Sequence, residues 1–174
     1  MTEPTVSEED VDIQMTDSVT QEYVELEAQD VVLLTAANGV KLRTVDEAIE
    51  WGQGQIDNPT QSWKGLCQSF VRSAMHAPAW STTAYDAWLR IPEKHRNTGP
   101  IEEAPRGAAI YFKRNHVGAE RPGHVVLATK TGCMSNDILR PGMIDRAPRD
   151  IFIKKWNMVY LGWSTWTPFG EMQS

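Results

Sequence analysis

Gly123-His124-Val125-Val126-Leu127-Ala128-Thr129 and Gly132-Cys133-Met134-Ser135-Asn136-Asp137-Ile138 read as two β-strands, with Thr131-Gly132 as a tight hairpin link between them. Both runs are bounded by turn residues, and the first is rich in β-branched and aliphatic side chains, the signature of an extended segment. Upstream, Pro105-Arg106-Gly107 is a turn and Gly107-Ala108-Ala109-Ile110-Tyr111-Phe112 a further strand. Downstream, residues 150–155 read as a short helix and Val159-Tyr160-Leu161-Gly162-Trp163 as a last strand.

The earlier half reads differently. Thr44-Val45-Asp46-Glu47 has capping-box spacing, and the helix it opens carries Val45, Ala48 and Ile49 on one face. A second helix is expected from Ser62 through Met75, with Trp63, Leu66, Cys67, Phe70 and Ala74 forming an inward stripe. A third, over residues 82–89, carries Tyr85 and Trp88 at i and i+3 before Ile91-Pro92 stops it. Helices first and an antiparallel meander afterwards give an α+β fold.

The 174 residues divide into an acidic leader, residues 1–30, and a single domain, residues 31–174, whose first strongly apolar run is Val31 to Leu34. The leader holds ten acids and no Lys or Arg, which leaves thirteen acids against all 17 bases in the domain, a net +4. Such a leader is expected to be solvated, or to dock on a partner or on the basic domain itself. A weak +4 without Lys/Arg clusters argues against nucleic acid and suits an anionic surface. Nothing approaches an apolar run of about 18 residues, so no membrane span is expected. The start has neither the basic nor the apolar region of a secretory signal, and two cysteines make no disulfide framework.

Cysteine hydrolysis needs a thiol at a helix start, an imidazole within hydrogen-bond reach, and a polar group that fixes the imidazole's tautomer. Cys67 lies on the inward stripe of the second helix, and His124 opens a strand behind Gly123. Asp137, one strand later, shares a face with Ser135 and is expected to receive the second imidazole nitrogen. Asn136 takes that place if the strand bulges. Gln61 and Ser62 are candidates for an oxyanion donor, and Trp80, Tyr85 and Trp88 for a substrate groove. No metal or other cofactor is required.

The order Trp63-x-x-x-Cys67-x-x-Phe70-Val71-Arg72, then Ala104-Pro105-Arg106-Gly107-Ala-Ala-Ile-Tyr-Phe, then Gly123-His124-Val125-Val126-Leu127, resembles the CHAP and NlpC/P60 cysteine peptidase superfamily. Ser135-Asn136-Asp137-Ile138 and Tyr160-Leu-Gly-Trp163 resemble, more narrowly, endolysin-like hydrolases of phages that infect actinobacteria. The resemblance covers roughly residues 42–165. It implies a papain-like fold, peptidoglycan as substrate, and a thioacyl-enzyme formed by Cys67 with His124 as base and Asp137 or Asn136 as third member. It also implies synthesis in a host cytoplasm and action at the wall, after release through a holin or within a virion.

Other readings compete. Cys67 and His124 are alternatively inert core residues, or partners with Cys133 in a zinc site; a Cys67–Cys133 disulfide is a further possibility. Asp137 alternatively caps a turn or pairs with Arg140. At the level of function, the alternatives are a virion or tail component that uses this fold to bind, its leader docking on phage structural proteins, and a hydrolase acting on a protein substrate.

Overall fold

The computed structural model describes residues 39–174; the acidic leader and the apolar run at 31–34 lie outside the described residues. Thr44 opens α1 (Val45–Asp57) through the capping box its spacing predicts, accepting from the Glu47 amide while the Glu47 carboxylate accepts from Thr44 N–H. The second helix starts later than expected. Trp63 to Leu66 form a turn, Leu66 N–H bonding the Trp63 carbonyl, and α2 (Cys67–Met75) begins only at Cys67. The reason is a tether across the fold: Gly65, at φ 74°, donates its N–H to the Asp137 carboxylate, and Asn136 Nδ2 donates to the Trp63 carbonyl. The left-handed φ at Gly65 takes the chain off the right-handed helical path at this point, so the helix resumes only beyond it. Thr83 caps α3 (Ala84–Arg90).

The strands are β1 (Ala109–Lys113), β2 (His124–Ala128), β3 (Cys133–Asn136), β4 (Ile144–Ala147) and β5 (Val159–Ser164), with α4 (Ile151–Lys154) between the last two. They form one antiparallel sheet in the order β4-β3-β2-β1-β5, a meander closed by β5 returning beside β1. Short strands β6 (Trp166–Thr167) and β7 (Gly170–Glu171) make a separate hairpin. The fold is α+β, as the sequence predicts. β4 and the β6–β7 hairpin go beyond the sequence reading.

Side chains alternate across a strand, so the sheet carries two cores. Ala109, Tyr111, Val125, Leu127, Met134 and Ile144 pack against Cys67, Phe70, Ala74, Trp63, Trp80 and Trp88 on the face covered by α1, α2 and α3. Ile110, Phe112, Val126, Ala128 and Cys133 pack against Phe152, Trp156 and Met158 on the other. Among the described residues, no helix is long and apolar enough to cross a membrane.

Candidate functional site

Cys67, the first residue of α2, is fully buried in the helix-side core. Tyr111 is its neighbour, and burial together with Cys67 raises the Tyr111 phenol above its ordinary pKa.

His124 is the first residue of β2 and pairs with Phe112 across the sheet. Its side chain follows the parity of Val126 and Ala128, away from α2. The ring lies 4.4 Å from Phe152 and 6.1 Å from Trp156, in the second core. Burial pushes its pKa down to about 3, so the imidazole is neutral at physiological pH. Cys67 and His124 therefore occupy opposite faces of the sheet, which corrects the expected pairing. The physical cause is period-two alternation: a residue that opens this strand in register with Phe112 points where Phe112 points.

Gly123, just ahead of His124, is set by the backbone around it. Its φ is 72°, and a Cβ there would lie 2.5 Å from the Phe112 carbonyl oxygen and 3.2 Å from Tyr85. Glycine is required for the backbone to pass between β1 and α3.

The imidazole partner is Ser135, whose Oγ lies 2.7 Å from His124 Nε2. Asp137 does not reach the ring. β3 ends at Asn136, and Asp137 turns off the strand at φ 57°. Its carboxylate accepts from Gly65 N (2.8 Å), Gly142 N (2.5 Å) and Asn136 Nδ2 (3.0 Å). Burial raises the Asp137 carboxyl pKa, while the Gly142 and Gly65 amides pull it back. Asp137 thus clamps the β3–β4 turn onto the loop ahead of α2. Asn136 serves the same clamp rather than the imidazole, on the helix side of β3. Arg140 pairs with Asp145.

The other candidates separate as well. Gln61 and Ser62 are exposed on the loop before α2, whereas Cys67 is sealed. Trp80 and Trp88 are 4% and 5% exposed and pack inward, on Trp166 and Tyr111 respectively, so they line no open groove. Tyr85 is half-buried, with the Arg121 guanidinium 5.3 Å from its ring.

Cys133 lies in the second core, its thiol pushed up to about 12 by burial although Arg149 opposes the shift. Neither cysteine is disulfide-bonded, and they face opposite sides of the sheet, against both the disulfide and the shared zinc site. Among the described residues, no group of three or more His, Cys, Asp or Glu stands close enough to hold a metal.

Two residues escaped the sequence reading. Ser135 was legible, since the parity that put Asp137 on the His124 face put Ser135 there too. Gln68 is 4% exposed beside Cys67, and neither end of its side-chain amide has a hydrogen-bond partner. Its spacing to Val71 and Met75 marks the stripe it shares with them. No family model, curated protein or solved structure matches this chain.

Proposed function

We propose that this chain binds bacterial cell-wall peptide through a papain-like α+β domain without cutting it, the role of a virion or tail component. The observation that carries the non-catalytic part is the position of His124. A general base must reach its nucleophile and titrate near the working pH. His124 lies on the far side of the sheet from Cys67, neutral and covered by Phe152. The cell-wall part rests on the resemblance of the Cys67, Gly107 and Gly123-His124 segments to wall-directed proteins. The net positive domain suits an anionic wall.

Hydrolysis of the same material, as an amidase or endopeptidase, is the second reading. One observation favours it: Cys67 is the first residue of a nine-residue helix, where a nucleophilic cysteine belongs. For His124 to serve as its base, β2 would have to turn its first residue onto the helix face.

Purified cell walls separate the two. Wild type and Cys67→Ala are expected to sediment with walls equally, and neither to lower the turbidity of the suspension. Clearing by wild type but not by Cys67→Ala would establish the hydrolase instead. Neither binding nor clearing would count against the wall as target and leave a protein substrate or partner.

A further inference from the structure

No run of Lys or Arg stands out along the chain, but the fold assembles a basic cleft from two separate segments. Lys41 and Arg43 come from the stretch ahead of α1, and Arg72 and His76 from the end of α2. With Trp51 they line an open cleft of about 530 Å³, a size typical of ligand sites. No Asp or Glu is among the described residues that line it. Arg43 is held in position: its Nη1 donates to the Ser73 and Ala74 carbonyls, and its guanidinium lies 5.2 Å from the Trp51 ring. His76, the exposed C-cap of α2, is fixed with Nδ1 3.0 Å from the Lys41 carbonyl. Glu47 lies outside the cleft wall. Bonds to Thr44 lower its carboxyl pKa, Lys41 and Arg43 add to the shift, and the capping box holds it. Like charges gathered without a carboxylate among them repel one another, and a bound anion relieves that repulsion.

We propose that this cleft binds an acidic peptide segment and that its occupant is the chain's own residues 22–30. Those residues carry Glu22, Glu25, Glu27 and Asp30 and no base, four carboxylates for the four basic side chains. Tyr23, Val24, Leu26 and Ala28, set among them, suit the indole of Trp51. Only residues 31–38, uncharged throughout, separate this segment from Gly39, which itself lines the cleft. A link of that length spans at most about 30 Å. It holds the acids at an effective concentration in the mM range, ahead of a diffusing competitor. Occupancy of the cleft does not depend on what the domain binds elsewhere.

The test uses the full chain and a variant whose leader acids are neutralised by Glu22→Gln, Glu25→Gln, Glu27→Gln and Asp30→Asn. At low salt the Trp51 indole N–H signal in NMR is expected to differ between the two proteins, and the difference to vanish at about 1 M NaCl. A synthetic peptide with the sequence of residues 21–30 is expected to bind the neutralised variant at least about ten-fold more tightly than wild type, whose cleft is already filled. Adding Lys41→Glu to that variant should weaken the peptide by about ten-fold or more, at an unchanged unfolding temperature because Lys41 is exposed. Identical Trp51 signals in wild type and the neutralised variant at low salt would overturn the proposal. So would equal peptide affinity for both, which would mean that the cleft serves acidic segments of other molecules. Peptide binding undiminished by Lys41→Glu, or no binding at all, would remove the cleft as a site.

Discussion

With aromatic rings against it and Ser135 as its polar contact, the His124 imidazole holds its neutral form down to a pKa of about 3. In the unfolded chain it takes up a proton below about pH 6.5. Between those values the unfolded state binds more protons, so the stability that neutral His124 contributes is present above pH 6.5 and lost as pH falls toward 3. His124→Gln keeps a polar end toward Ser135 and does not titrate. Urea unfolding at pH 7.5 and 4.5 should show wild type losing more stability than the variant, by on the order of 2 kcal/mol; equal losses would contradict this. Asp137 makes the complementary case. Its removal in Asp137→Ala strips the Gly65 and Gly142 amides of their acceptor, and should cost about 2 kcal/mol or more in the same assay. An unchanged midpoint would mean that the clamp is not structural. The sequence led close to this arrangement. Strand parity named the face that meets His124, but it assumed that β3 continues through Asp137. Alternation along β3 delivers Ser135 to the ring, and the left-handed turn at Asp137 delivers its carboxylate to the loop.

Among the elements, α1 was the most legible because its start signal is local. The capping box needs only Thr44 and Glu47, and Thr44→Ala should lower stability by about 1 kcal/mol in thermal unfolding. No change would show the cap to be idle. The start of α2 was not legible, since it is set by acceptors and donors some 72 and 73 residues away. β4 escaped for another reason. Ile144-Asp145-Arg146-Ala147 carries charge in mid-strand, as edge strands do, and so lacks an apolar signature. Arg149 follows it and fastens the connections: its guanidinium donates to the carbonyls of Ile101, Glu102, Thr129 and Gly132. Lysine lacks that fork of donors, so Arg149→Lys should destabilise by about 2 kcal/mol, again by urea unfolding. A neutral result would mean that water replaces the lost bonds.

Across the whole molecule the sheet is a partition, and what matters chemically is which side each group is on. Cys67 and Gln68 belong to the helix side with Tyr111, while His124, Ser135 and Cys133 belong to the other. The order of Cys and His along the chain was readable from sequence, and their separation was not, because it depends on the register that pairs His124 with Phe112. Charge is divided too, with ten acids in residues 1–30 against a domain of net +4. If the leader masks the basic surface, deleting residues 1–30 should raise wall affinity, most clearly at low salt, and unchanged sedimentation would reject masking. The central claim is that Cys67 and His124 are not a working pair, and an NMR titration of the His124 ring in wild type and in Cys67→Ser tests it most directly. The ring should stay neutral from pH 8 down to about 4 with the same signals in both proteins. A midpoint at or above about 6.5 that moves when Cys67 is replaced would contradict the account.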